Sequence, residues 1–252
     1  MMALPMHRLD HASEHLDGPL TDPAVLQGNL RDLRRINRFL GGIGLSQRAC
    51  EALIGRMDRG GVAQGAATPT VELRLLDVGT GGADIPMALI TSWQRRGLAV
   101  RITGLDSRAE VLRAAISERP ELRRIPELEL IEADGRRLPY GDRTFDIAHA
   151  SLLLHHLEPA EANALLREMA RVSDTGIVVN DLARGRLAWL GAWLLVHLAT
   201  TNRFTRHDGP LSVRRAYTLP EARALVDAAG LRVVHEEVGF LRHRWAIAAV
   251  RS

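Results

Sequence analysis

Between residues 71 and 180 short apolar runs alternate with amphipathic stretches, and no other feature of this sequence restricts the fold as strongly. The runs cover 71–78, 100–105, 128–132, 145–149 and 176–180. The intervening segments 84–96, 108–118 and 161–172 carry apolar residues at helical spacing. A run such as Gly176-Ile177-Val178-Val179 is apolar without alternation, as expected of a strand covered on both faces. Strand and helix in repeated succession build a parallel sheet between two helical layers. The predicted class is therefore α/β.

Outside this stretch the pattern changes. Residues 1–20 are polar and irregular and read as a loose arm. Residues 24–40 place Leu26, Leu30, Leu33, Ile36, Phe39 and Leu40 at helical spacing, with Arg on the opposite face. A second short helix is expected at 47–57, followed by a Gly/Ala/Thr linker at 58–70. The predicted division is an arm with a helical extension over 1–69 and the α/β domain over 70–252. Beyond residue 180 the alternation breaks at an insertion, 185–216, which holds an apolar run at 187–198 and an Arg/His-rich loop. A helix at 219–229 opens with Pro220 and is closed by Gly230. Two final strands, 231–238 and 242–250, are expected as an antiparallel pair.

Composition removes several functions. The pI near 9.9 does not signal nucleic-acid binding: 33 basic residues face 30 acidic ones, for a net charge of +3. Every basic residue is Arg, which stays protonated and raises the pI of a nearly neutral chain. The single Cys50 excludes an intrachain disulfide and a Cys-based zinc site, and fits a reducing cytoplasm. The N-terminus lacks the apolar core of a secretory signal. The 187–198 run is too short to cross a bilayer, is flanked by Arg184, Arg186 and Arg203, and contains His197. It reads as a buried or lid helix, ahead of an interfacial membrane helix.

The chemistry starts at Leu75-Leu76-Asp77-Val78-Gly79-Thr80-Gly81-Gly82-Ala83-Asp84, a strand running into a glycine turn and a helix. The dinucleotide fingerprint G-x-G-x-x-G is met by Gly79 and Gly81, but Asp84 stands at its third glycine, where a carboxylate would face a pyrophosphate. A P-loop fails because the chain has no Lys. Acids around such a turn suit a phosphate-free ligand that carries a cation. Asp106 ends the second run, where a carboxylate can accept both hydroxyls of a ribose. Asp134 follows the third run, where it can accept an adenine amino group.

These acids after successive strands, with "LDVGTGG", "GLD" and "ADGRRLPYGDRTFDIAHASLLLHHL", resemble the class I methyltransferases that use S-adenosylmethionine (SAM). The resemblance covers roughly residues 70–250. It implies a Rossmann-like, seven-stranded, mostly parallel sheet with an antiparallel last strand. It implies that SAM, and its product S-adenosylhomocysteine, are held by Asp77, Gly79, Thr80, Gly81, Asp84, Asp106, Ser107, Asp134, Gly135 and Ala150. Ala83 stands where many members have Gly; it is small, so little harm is expected.

Methyl transfer from a sulfonium is an in-line displacement that depends on positioning, and a phenol or alcohol acceptor also needs a base. His155 and His156 follow the fourth run, and Asp181 ends the fifth. His155 oriented by Asp181 is the expected base, with His156 second. The insertion is expected to form a lid whose Trp189, Trp193, His197, Arg203, His207, Arg214 and Tyr217 bind the acceptor. The expected acceptor is a small, fairly apolar molecule, methylated at a phenolic or hydroxyl oxygen, as in a quinone- or polyketide-like compound. C- or N-methylation of a small molecule is the alternative. RNA methylation is disfavoured, since "FDIAHAS" lacks the Asn/Asp-Pro-Pro-Tyr/Phe signature of amino-base methylation, and a non-catalytic SAM-binding module by the intact acid set. No metal is expected, because no compact acid cluster stands beyond the SAM set, although His and Asp from distant loops can still meet in the fold. The sequence does not reveal an oligomeric state.

Overall fold

The computed structural model describes residues 6–19, 22–57 and 72–252. The expected 58–70 linker and the first residues of the arm lie outside them.

Helix α1 (Pro23–Phe39) starts where Asp22 accepts from the backbone N–H groups of Ala24 and Val25, with Pro at the first turn. It buries Leu26 and Leu30. Gly41, at φ 78°, then turns the chain directly into α2 (Gly42–Ile54). This helix begins at Gly42 rather than at 47 because its small residues Gly42, Ser46 and Ala49 let it lie close on the sheet.

The alternation then builds β1 (Leu73–Val78), α3 (Asp84–Arg95), β2 (Val100–Asp106), α4 (Ala109–Glu118), β3 (Leu128–Glu132), β4 (Phe145–Ser151), α5 (Pro159–Val172) and β5 (Ser173–Leu182). Strands β4 and β5 run past their apolar cores because the polar Ser151, Asn180 and Asp181 still pair with neighbouring strands. Helices α6 (Arg186–Ala199), α7 (Arg203–Arg215) and α8 (Leu219–Ala228) precede β6 (Leu231–Val238) and β7 (Arg244–Arg251). The seven-stranded sheet has the order β3-β2-β1-β4-β5-β7-β6. Strands β1 to β5 are parallel, and β7 runs antiparallel to β5 and to β6. The α/β class and the antiparallel final pair follow the sequence pattern.

Successive β1 residues serve opposite layers. Leu75 joins Leu26, Leu45, Leu53, Leu89, Trp93 and Ile102 on one face. Leu76 joins Leu105, Leu165, Leu166, Met169, Val179 and Trp245 on the other. The N-terminal helices thus share the core of the sheet. Cys50 is fully buried there, and desolvation pushes its thiol pKa far up, so it is a packing residue.

Three expectations are corrected. The arm is docked: the Leu9 N–H donates to the Arg214 carbonyl, Arg8 reaches Glu158 and the Leu157 carbonyl, and Glu14 is only 4% exposed. The Arg/His-rich loop is the helix α7, capped by Asn202; Gly209 and Pro210 read as breakers, but burial of Phe204, Thr205, Asp208 and Val213 overrides them. The apolar run is not a buried helix: Leu187, Leu190, Trp193, Leu194, Leu195 and Leu198 of α6 are exposed. Of its side chains only Val196 is buried, against Gly209 of α7.

At Gly176 the backbone of β7 lies close against β5. A Cβ there would stand 2.4 Å from the Ala249 carbonyl oxygen, a backbone atom with little room to move. Gly176→Ala is therefore expected to cost about 1–3 kcal/mol of stability, the usual range for overpacking. Urea denaturation checks this, and an unchanged midpoint contradicts the close approach.

Candidate active site

A cleft of about 850 Å³ opens at the carboxyl ends of β1, β2 and β3, where ligands bind in open α/β sheets. The glycine turn forms its floor. Gly79 (φ 72°) and Gly81 (φ 54°) adopt left-handed backbone, and the N–H groups of Gly79 and Thr80 donate to the Leu105 carbonyl at 2.8 and 2.9 Å. Ala83 is also left-handed, at φ 53°. Size is thus not the issue at this position; the backbone is strained for Ala and would be free for Gly.

Asp106 is fixed by this turn. Its carboxylate accepts from the Gly81 N–H and the Arg108 N–H, both at 3.1 Å, and it lines the cleft. Burial raises its pKa, and the two donors act against that. The Thr80 hydroxyl, in a residue 5% exposed on the cleft wall, has no partner among the described residues.

Asp77 and Asp84 are joined by a buried network. The Asp77 carboxylate meets His149 Nδ1 at 2.6 Å, and His149 Nε2 meets the Ser46 hydroxyl at 2.8 Å. Asn180 donates to the same hydroxyl at 2.8 Å and accepts from Arg244 Nε at 3.1 Å. Arg244 also donates to Asn37 Oδ1 at 2.7 Å and to Ser151 Oγ at 3.2 Å, and Asn37 donates to Asp84 at 2.9 Å. Arg244 is fully buried. Desolvation lowers its pKa to about 10, while Asp181 and Asp84 hold it charged. Burial raises the Asp84 pKa, against the Asn37 hydrogen bond. The sequence reading missed His149, Asn180 and Arg244. Their one signal was a polar residue inside an apolar run: "FDIAHAS", "GIVVN" and "RWAIAAV".

Asp134, Ser107 and Gly135 line the cleft as expected. Asp134 is half exposed and bound by Arg136, which lowers its pKa. Ala150 is not on the cleft wall: it is fully buried, packed in the core on the side facing α5. The walls carry Asp17, Asp77, Asp84, Asp106, Glu132, Asp134 and Glu161 against the two arginines Arg108 and Arg136. Both guanidiniums are committed, to the Leu16 carbonyl and to Asp134 and Glu161. Such a wall disfavours a pyrophosphate. It fits SAM, with its sulfonium, amino group and ribose, and the oriented Asp106 carboxylate can accept hydrogen bonds from it.

Beside this region stand the two histidines. Asp181 accepts from the His155 backbone N–H at 3.1 Å and contacts Nδ1 of the ring at 2.7 Å. His156 Nδ1 contacts Asp17 at 2.8 Å, and the two rings lie 4.2 Å apart. Both Nε2 atoms face Glu14, at 3.9 Å from His155 and 3.8 Å from His156. Arg215 reaches Asp17 at 2.6 Å and Glu14 at 3.3 Å, and the Ser212 hydroxyl donates to Glu14 at 2.9 Å. Burial works against the His156 imidazolium, but Glu14 and Asp17 outweigh it and push its pKa up to about 9. Asp17 sits well below the usual carboxylate range, since the His156 hydrogen bond and charge overcome its desolvation. His155 and Asp181 meet as expected, yet His156 and Asp17 line the cleft while His155, 3% exposed, lies behind them.

The expected acceptor-binding set is not on the cleft wall. Trp189 lies on α6 away from it, and Trp193 stacks on His197, 4.5 Å away, on an exposed face. Arg203 lies 3.7 Å from Asp22, His207 contacts Asp208 at 2.8 Å, and Arg214 holds the arm through its carbonyl. Tyr217 is buried and donates to the Leu157 carbonyl at 2.8 Å. The wall expected from the insertion is supplied instead by Leu16 and Asp17 of the arm and by Leu30, Leu33 and Asn37 of α1. The physical reason is that α7 packs against the arm and draws it over the cleft.

Comparison with known proteins agrees with this site. Residues 75–176 match the model of a methyltransferase domain. A phosphatidylethanolamine N-methyltransferase of Cereibacter sphaeroides is 33% identical over 117 residues, 45% of this chain and 53% of that one. A ubiquinone/menaquinone biosynthesis C-methyltransferase of Rickettsia bellii is 28% identical over 104 residues, 41% of each chain. The chain therefore spans about half or less of the curated relatives it matches. A SAM-dependent methyltransferase of Aquifex aeolicus has the same fold, with TM-score 0.57 at 18% identity, covering 90% of this chain and 97% of that one. Residues 75–176 therefore match a methyltransferase domain, and the chain as a whole has the fold of a SAM-dependent methyltransferase. Among the described residues no helix is long and apolar enough to cross a membrane.

Proposed function

We propose that the chain transfers a methyl group from SAM to a small, fairly apolar acceptor at a phenolic or hydroxyl oxygen. The observation that carries this reading is the continuity of the acid-lined cleft with the wall formed by His156 and Asp17. SAM supplies the electrophilic methyl group. Asp106 and Asp77 hold its polar ends, and the arm covers the acceptor side and excludes water. His155 donates Nδ1–H to Asp181, so its Nε2 lone pair can take a proton from the His156 imidazolium in front of it, and the neutral His156 so formed takes the acceptor proton and is charged again. His156, held charged by Glu14 and Asp17, stabilises the oxyanion that forms. The arm and the limited cleft volume favour a small molecule over a nucleic acid. The curated relatives act at nitrogen in a phospholipid headgroup and at carbon in quinone biosynthesis, so amines and activated ring carbons belong in the same test.

The test is a panel of phenols, amines and quinol-like carbon acceptors, assayed with SAM on wild type and His155→Ala. Phenol methylation is expected, with kcat falling about 10²–10⁴-fold in His155→Ala and the KM for SAM unchanged. Turnover of amines or carbons only would replace the oxygen reading.

A further inference from the structure

We infer that Glu14, His155 and His156 form a binding site for one divalent transition-metal ion at the wall of the cleft. Three parts of the chain supply it: the arm, the turn after β4 and, through Asp181, the end of β5. All three candidate ligand atoms lie within 4.8 Å of one another. Neither histidine offers Nδ1, because Asp181 holds one at 2.7 Å and Asp17 the other at 2.8 Å. What remains of each ring is Nε2, and both face the Glu14 carboxylate. A carboxylate behind each imidazole is the arrangement that orients metal-bound histidines and raises their basicity.

Distance and charge agree. Two ligands bound to zinc at a tetrahedral angle stand about 3.4 Å apart. His155 Nε2 lies 3.9 Å from Oε1 of Glu14 and His156 Nε2 lies 3.8 Å from Oε2, so each is within a few tenths of an ångström of that separation from one carboxylate oxygen. Glu14 and Asp17 share one guanidinium, that of Arg215, and Asp181 is directly paired only with His155 among the described residues. Arg244 also attracts Asp181 but is shared with Asp84. A divalent cation between two neutral imidazoles relieves the excess of negative charge, in place of protons on the rings. Two nitrogen ligands and one carboxylate form the donor set of zinc sites that keep a position open. His156 and Asp17 line the cleft, so an acceptor hydroxyl there could occupy that position; with both Nε2 lone pairs on the ion, the ion takes over activation of the hydroxyl from the two histidines and the proton leaves to water in the open cleft. This use of the ion rests on the methyl-transfer reading; its binding does not.

The test titrates the purified full chain, stripped with EDTA, with Co²⁺ and then with competing Zn²⁺, following the visible absorption of Co²⁺. SAM binding is measured on the same samples. One Co²⁺ per chain, displaced by Zn²⁺, is expected, weakened at least tenfold in Glu14→Gln and in His156→Gln. It should be unchanged in His207→Ala, which removes a ligand from the other group, the exposed His15 and His207 with the buried Asp208. SAM binding by the Glu14 and His156 variants shows that they are folded. Wild type that binds SAM but no stoichiometric Co²⁺ overturns the metal site alone. So does Co²⁺ binding that survives Glu14→Gln and His156→Gln or disappears in His207→Ala. Co²⁺ bound as expected by a wild type that binds no SAM would leave the metal site standing and remove the methyl-transfer reading.

Discussion

Replacing Asp106 with Ala is expected to weaken SAM binding by about 1–3 kcal/mol, roughly 5- to 150-fold in Kd. The carboxylate is fixed before any ligand arrives, because the Gly81 and Arg108 N–H groups orient it. A ribose that meets it therefore gives up little ordering entropy on binding. The substitution removes the acceptor for the ribose and also frees two backbone donors that shape the turn. S-adenosylhomocysteine shares the ribose and should lose affinity equally, whereas loss confined to SAM would place Asp106 near the sulfonium instead. Calorimetric titration with both compounds decides this. Failure of folded wild type to bind either would remove the cofactor assignment.

Arg244→Met is expected to destabilise the fold by about 3–5 kcal/mol, the range for removing one member of a buried charged network. The methionine fills part of the space but donates to nothing. Asn180, Asn37 and Ser151 each lose the Arg244 hydrogen bond, and Asp84 and Asp181 lose a buried counter-charge. Arg244→Lys should recover only part of the loss, since a single ammonium cannot reach the three groups that the planar guanidinium spans. Urea denaturation without ligand measures the effect. SAM affinity should fall as well, because Asn37 positions Asp84 at the cleft. A variant as stable as wild type would mean that the network is relaxed in solution.

The site was legible to the extent that its residues were local in sequence. Asp77, Gly79, Gly81, Asp84 and Asp106 follow from one strand–turn–helix pattern and the end of the next strand. All of them line the cleft. Ala150 is beside the site in sequence but is enclosed by its neighbours in the core on the α5 side and does not reach the cleft wall. The lid was misassigned because the run at 187–198 is apolar, and apolarity alone does not say which neighbour covers it. Only Val196 is fully buried.

What the sequence determined by itself is the order of strands and helices and the acid set around a glycine turn. Periodicity, turn chemistry and strand ends are properties of a few consecutive residues. What only the tertiary structure decided are the pairings across the chain: Glu14 of the arm on the His155–His156 pair, Arg244 of the last strand on Asn37 of the first helix, and Ser46 of α2 beneath His149. Each joins a buried polar group to a partner 100 or more residues away. Burial demands that such a group find a partner without specifying which one. The choice is made by the packing of the arm and the two N-terminal helices over the sheet, and no local stretch of sequence encodes it.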